Sequence, residues 1–338
     1  MVTPPWLNGA NLTQGTARVA VAPPNSSRFV FWVLRSGASV AQWESSIGGA
    51  TFRALNLGPL AETMFVLPPI REQTTIAAFL DRETAKIDAL VAEQQQLIEL
   101  LKEKRQAVIS HAVTKGLNPD APMKPSGVEW LGEVPAHWGV VQSRRLFKVR
   151  NEPAHEADRQ LTASQKHGVL FQSEFVELEG RRVVEVIKGA DSLKHVEPND
   201  FVISMRSFQG GIEWCKLRGS ISWHYVMLTP VQSVHGPFFA YVLKSAGYIQ
   251  ALRATTDLIR DGQELRYSHF VQVDLPLVPM EEQASIALFL DRETAKIDAL
   301  TAEAQLAIEL LQERRTSLIS AAVTGQIDVR AIAGRAAA

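Results

Sequence analysis

Apolar side chains recur at alternating steps of three and four along two long stretches of this chain, Pro69 to Thr114 and Pro279 to Thr324. In the first, Ile76, Leu80, Ile87, Leu90, Leu97, Leu101 and Val108 keep this rhythm, with Glu83, Gln94 and Lys104 at intervening positions. In the second, Ile286, Leu290, Ile297, Leu300, Ala304, Ala307, Leu311 and Leu318 do the same. A mean spacing of about 3.5 residues is the seam of a coiled coil. Each stretch starts at proline (Pro68 and Pro69; Pro279), continues through Glu72-Gln73 or Glu282-Gln283, and meets no further Gly or Pro until Gly116 or Gly325. Each therefore reads as one uninterrupted helix. At about 1.5 Å per residue such a helix is roughly 70 Å long. So narrow an apolar stripe needs a partner, and the other copy is at hand.

The two stretches are a duplication. Phe79 to Leu90 reads FLDRETAKIDAL and Phe289 to Leu300 repeats it at an offset of 210; residues 69–114 and 279–324 share 31 identities in 46 positions. This period far exceeds the 20 to 50 residues of solenoids, so the chain is two copies of a large module, in the order globular segment, helix, larger globular segment, helix. Antiparallel pairing would relate the copies by a pseudo-two-fold axis, whereas parallel pairing would force the middle segment to run the full helix length. The fold class expected is α+β: mixed α/β domains joined by two long helices in an antiparallel coiled coil, with a pseudo-two-fold internal repeat.

Gly116 to Pro125 (GLNPDAPMKP) is a turn-rich connector, and Ser126 to Leu275 is a globular region. Within it Gly168 to Phe171, Val183 to Ile187, Phe201 to Met205 and Tyr225 to Leu228 read as strands, and Gly236 to Ser245 as a helix start. The shorter first region matches only the end of this one: Phe29 to Ser36 (FVFWVLRS) aligns with Phe238 to Ser245 (FFAYVLKS) at an offset of 209. Nothing before it corresponds to Ser126 through Pro230. The expected partition is 1–68, the C-terminal half of a first globular module; 69–115, the first long helix; 116–125, a linker; 126–275, a second and complete module; 276–325, the second long helix; and 326–338, a flexible tail.

Of the 338 residues 46% are apolar and 21% charged, which excludes global disorder. Lys plus Arg number 35 against 36 Asp plus Glu, a net charge of -1, so a basic chain cannot be the argument for nucleic acid. Cys215 is the single cysteine, and no Cys/His cluster has zinc-ligand spacing. No metal or cofactor is expected, and with no long apolar span or signal peptide the reading is cytoplasmic, without membrane contact.

Four features together carry a family resemblance: SGVEWLGEVPAHW (Ser126 to Trp138) opening the large module, the proline start with Glu72-Gln73, the repeated FLDRETAKIDAL, and the helix ending LLKEKRQAVISHAVTKGL. The chain resembles the specificity subunit of a type I restriction-modification system, shortened in its first target recognition domain. The resemblance implies two recognition domains that each read half of a bipartite site on double-stranded DNA, with the paired helices setting their spacing. It further implies two methyltransferase subunits as partners, restriction and translocase subunits in the full complex, and a bacterial or archaeal cytoplasm.

Base reading needs groups such as Arg for guanine and Gln or Asn for adenine, with other groups holding phosphates. Arg206, Ser207, Gln209, Arg218, Ser222, His224 and Tyr225 interleave with aromatics between Ser204 and Tyr225, and Gly210-Gly211 reads as a hairpin turn that exposes Gln209. The competing reading puts Trp214 and Trp223 in the core with the polar residues merely solvated. Arg144, Arg145, Lys148 and Arg150 form the densest basic run, and Lys166 another short one; phosphate contact and a solvated strand face are both open. Arg260 and Arg266, with Arg53 and Asn56 at the matching place in the first module, suggest phosphate contact or domain closure, with a structural turn equally open.

There is no Walker A sequence, G-x-G-x-x-G, H-E-x-x-H or G-x-S-x-G, nor a methyltransferase-type Asn-Pro-Pro-aromatic tetrapeptide. The expectation is a non-catalytic recognition subunit. The alternatives are a coiled-coil scaffold that binds protein, or a remnant that does neither.

Overall fold

Two proline-started, glycine-stopped runs give the two longest elements of the computed structural model, which describes residues 16, 18–46, 55–180, 193–204, 207–231, 233–255 and 265–330. The first long helix is Ile70–Lys115 and the second Met280–Val323. Pro69 O accepts from the N–H groups of Glu72 and Gln73, and Pro279 O does the same for Glu282 and Gln283. Gly116 stops the first helix at φ +72°, a left-handed conformation that a Cβ would strain.

The chain divides into two compact units, Met1–Leu100 with Ala299–Ala338, and Leu101–Asp298. In the first, the helix Ser27–Leu34 packs Phe29, Trp32 and Val33 against Ile76, Phe79 and Leu80 of the first long helix and Ile319, Ala322 and Val323 of the second. The start of one long helix thus lies against the end of the other, and Arg315 bonds Asp88 at 2.8 Å. The second unit repeats the arrangement: Ile109, Ala112 and Val113 share a core with Ile286, Ala287 and Leu290, and Arg105 bonds Asp298 at 3.2 Å. In each unit the helices run antiparallel.

The seam differs from the apolar count. Leu90, Leu97 and Leu300 are exposed (44%, 41% and 49%), while Thr84, Ile87, Leu101, Thr294, Ile297, Ala304 and Ile308 are buried and Val91, Gln94, Ile98 and Thr301 half-buried. Strict alternation of four and three from Leu80 lands on Thr84, Ile87, Val91, Gln94, Ile98 and Leu101. The leucines sit one position early, and Thr84 tolerates burial because its hydroxyl donates to Leu80 O at 2.6 Å. Ile76, Leu80, Ile286 and Leu290 are buried, whereas Val108, Leu311 and Leu318 are partly so.

The second unit carries the strands. In chain order they are β1 Met123–Pro125, β2 Glu133–Pro135, β3 Gly139–Gln142, β4 Phe147–Arg150, β5 Leu161–Ser164 and β6 Gly168–Phe171. They continue with β7 Lys194–Val196, β8 Phe201–Ile203, β9 Glu213–Trp214, β10 Gly219–Ile221, β11 Val226–Pro230 and β12 Asp274–Leu277. A four-stranded sheet has the order β4-β11-β8-β9, and β1–β2, β7–β10, β3–β12 and β5–β6 pair beside it, all antiparallel. The core closes on Phe147, whose ring meets Phe201, Phe239 and Phe270 edge-on at 5.3, 5.5 and 5.7 Å, a geometry favoured by the ring quadrupoles. Gly210-Gly211 is not a hairpin turn: Ser207–Gly210 is a short helical turn before β9. Strand Val183 to Ile187 lies outside the described residues.

Candidate nucleic-acid interface

Strand register decides which candidate readers share a place. Val226 of β11 lies opposite Ile203 of β8, and Met227 opposite Arg150 of β4. The described residues that follow β8 (Ser204 and Ser207 to Gln209) and those that precede β11 (Ser222 to Tyr225) therefore emerge at one end of the sheet. Pro230 pairs with Phe147, so Arg144 and Arg145, which precede β4 in the helix Ser143–Leu146, belong to the opposite end.

At the first end Gln209 is exposed, but Ser207 is buried and its Oγ accepts from Ser204 N at 2.8 Å, holding the turn. Gly210 lies so near the β5–β6 hairpin that a Cβ would meet Cγ and Cδ of Gln165 at 2.9 Å. This brings the tip of that hairpin against the Ser207–Gly210 turn. Lys166 is already paired: its Nζ donates to Glu179 at 2.8 Å, and with His167 it holds that carboxyl down at about 2.

The Ser222 to Tyr225 turn presents Trp223, 52% exposed, with the His224 ring stacked on it at 3.7 Å. Ser222 and Tyr225 are half-buried and shape the turn, Tyr225 N donating to Ser222 O at 3.0 Å and Lys194 Nζ to Tyr225 O at 3.0 Å. Trp223 is thus a surface residue, although its alternation with polar neighbours was equally compatible with a place in the core. Its signal is an aromatic beside His in a turn just ahead of a strand.

The remaining candidates are dispersed. Arg218 is exposed and bonds Glu197 at 2.9 Å, and Arg144 bonds the Gln142 side chain at 2.8 Å. Arg145 and Lys148 are exposed, whereas Arg150 is drawn inward by Asp200 at 2.7 Å, a hydrogen bond that raises the guanidinium above its ordinary value. Arg266 is exposed at the start of the helix Tyr267–Phe270, its backbone N–H donating to His269 Nδ1 at 3.0 Å. Asn56, in the other unit, is exposed before the helix Leu57–Ala61. Arg206, Arg260 and Arg53 lie outside the described residues. Among the described residues no helix is long and apolar enough to cross a membrane.

No protein-family model matches the chain. A protein described as the MjaX type I restriction enzyme specificity subunit of Methanocaldococcus jannaschii is 22% identical over 285 residues, covering 82% of this chain and 62% of that protein. The EcoBI type I restriction enzyme specificity subunit of Escherichia coli is 22% identical over 348 residues, covering 94% of this chain and 69% of that one. The chain resembles type I restriction specificity subunits. A chain from a structural study of complex assembly and conformational transition in a type I R-M system superposes with a TM-score of 0.65 at 16% identity, over 90% of this chain and 72% of its own length, and the fold is shared. Against the M. jannaschii relative, this chain spans less than two thirds of the full length.

Proposed function

We propose that this chain is the DNA sequence-recognition subunit of a type I restriction-modification complex. It reads one half of a bipartite target through the second unit, docks two methyltransferase subunits and, in the full complex, the restriction subunits, and leaves the chemistry to them. The observation that carries the reading is the exposed Trp223–His224 stack at the same sheet end as Gln209, in a chain similar to a specificity subunit over 94% of its length. Gln can bond adenine through two hydrogen bonds in the major groove, and an apolar face can meet the thymine methyl. Arg144, Arg145, Arg218, Arg266 and the Arg206 and Arg260 segments are the proposed phosphate and base contacts, with Arg53 and Asn56 serving the other unit. Lys166, neutralised by Glu179, supports that surface more than it holds phosphate. A net charge of -1 fits a subunit whose partners supply part of the phosphate affinity.

The test is selection from a randomised duplex library by the chain reconstituted with its methyltransferase subunits, read by electrophoretic mobility and sequencing. A defined sequence motif is expected. Binding without sequence preference would remove the recognition role.

A further inference from the structure

Two histidines and three carboxylates converge in the second unit where the chain leaves β4 and meets β7. One ligand atom from each of Glu152, His155 and His195 lies within 4.8 Å of the others. The segments carrying them are fixed by backbone bonds, His195 N to Glu152 O at 2.8 Å and Ala154 N to Leu193 O at 2.9 Å. The two imidazoles stack at 4.0 Å. His195 is 1% exposed, with Asp158 Oδ2 2.7 Å from its Nδ1 and Glu197 Oε1 3.0 Å from its Nε2. Glu152 Oε1 lies 2.9 Å from His155 Nε2.

We propose that Glu152, His155 and His195 form a binding site for a divalent cation of the zinc class. Two imidazoles and a carboxylate suit zinc and its neighbours in the first transition row better than magnesium or calcium, which take oxygen ligands. The buried His195 is the fixed ligand. A ligating imidazole is oriented by an acceptor on its second nitrogen, and His195 has one whichever nitrogen takes the metal: Glu197 if Nδ1 binds, Asp158 if Nε2 binds. The carboxylate displaced from the bound nitrogen is placed to become a fourth ligand. Tetrahedral ligands at about 2.0–2.1 Å from zinc stand roughly 3.4 Å apart, so the group must contract. His155 and Glu152, 46% and 43% exposed, are the side chains able to move. Two of the carboxylates also have arginine partners outside the cluster, Arg150 on Glu152 at 3.2 Å and Arg218 on Glu197 at 2.9 Å. The cluster escapes sequence inspection because Glu152 and His155 join His195 only through the pairing of distant segments.

The experiment uses the full chain without a histidine tag, stripped with chelator and titrated with zinc chloride by calorimetry, with thermal unfolding in parallel. One equivalent binding at micromolar or tighter affinity, with a rise in Tm, is expected. His155→Ala, at an exposed position and checked for an intact fold by circular dichroism, should weaken binding at least tenfold, and Glu152→Gln should weaken it in the same direction. Cobalt(II) should give tetrahedral visible absorption in the wild type and lose it in His155→Ala. Absence of a saturable equivalent, or binding unchanged in His155→Ala, would overturn the site and leave an ion-pair network only.

Discussion

Arg105 meets Asp298 at 3.2 Å, and their equivalents at the repeat offset of 210, Arg315 and Asp88, meet at 2.8 Å. Each pair takes its arginine from one helix and its aspartate from the other, so a single duplicated sequence writes both contacts. The repeat also duplicates contacts inside each copy, between a long helix and the segment before it. Gln73 accepts from Ser26 N and Gln283 from His235 N, both at 2.8 Å, and Asp81 binds Trp32 where Asp291 binds Tyr241. Antiparallel pairing therefore carries two matched arginine–aspartate pairs as well as an apolar seam.

The two ion pairs should not be worth the same. Arg105 to Ala removes an exposed contact of the kind that contributes about 0.2–1 kcal/mol. Arg315 is 22% exposed, makes two hydrogen bonds to Asp88, and lies over the Trp32 ring at 5.9 Å, so Arg315→Ala also loses aromatic and stem packing. Urea denaturation of the two variants should place Arg315→Ala about 1 kcal/mol below Arg105→Ala. Equal losses would mean that the Trp32 contact contributes nothing.

Helix register gives a sharper contrast between adjacent residues. Leu97 is 41% exposed and Ile98 half-buried on the seam. Leu97→Asp should cost under about 1 kcal/mol as a surface change, whereas Ile98→Asp should cost about 3 kcal/mol by placing a charge against apolar neighbours. Denaturation midpoints in the reverse order would restore the seam to the leucines.

The repeat, the helix ends and the strands Gly168 to Phe171 and Tyr225 to Leu228, the latter observed as Val226–Pro230, were legible because each leaves a local mark: an identity, a proline, a glycine or a short apolar run; the antiparallel pairing followed from the order of the modules. The seam was misread at Leu90, Leu97 and Leu300 because hydrophobicity favours leucine, while heptad register accepts Thr84 and Gln94 at buried or half-buried places. The site was legible only as a stretch. Ser207 and Gln209 lie two residues apart, yet one is sealed in a turn and the other is exposed. Ser207 is held by the Ser204 backbone, and the neighbouring Gly210 lies against Gln165 of the β5–β6 hairpin, contacts that no local pattern displays.

Equivalent positions in the repeat need not be equivalently buried. Leu275 is fully buried in β12, which pairs with β3, whereas Phe65, at the same offset in the first module, is 41% exposed, and among the described residues no strand pairs with it. Leu275→Ala should cost about 2–5 kcal/mol and Phe65→Ala less than about 1 kcal/mol, measured by thermal and urea unfolding. A Phe65→Ala loss as large as that at Leu275 would show the first module to be packed like the second.

Glu213 gives the stability a pH slope. Its side chain is 4% exposed, Oε1 has no hydrogen-bond partner, and Lys244 sits 2.5 Å from Oε2. Burial pushes the carboxyl above its ordinary value of 4.5, and Lys244 only partly opposes this. As pH rises from about 4.5, the unfolded chain releases this proton before the folded one does. The folded state then holds more protons, so stability falls with rising pH until the folded carboxyl also ionises. Unfolding free energy measured from pH 4.5 to 7 should decline less in Glu213→Gln than in the wild type. An identical pH dependence would mean that Lys244 compensates the burial in full.

Gln209→Ala and Trp223→Ala separate reading from folding. Gln209 is exposed and Trp223 is 52% exposed, so neither change should cost more than about 1 kcal/mol of stability. If Gln209 bonds an adenine edge, its loss should relax one position of the selected motif by about 1–3 kcal/mol of discrimination. Loss of Trp223 should instead weaken preference at a neighbouring position, since it removes the face on which His224 stacks. Gly210→Ala is the control for placement. It must push Gln165 away by contact and should blur the same positions without removing any reading group. Library selection with each reconstituted variant reads all three effects. Motifs identical to wild type in Gln209→Ala and Trp223→Ala would move the reading surface to the opposite sheet end, where Arg144 and Arg145 stand.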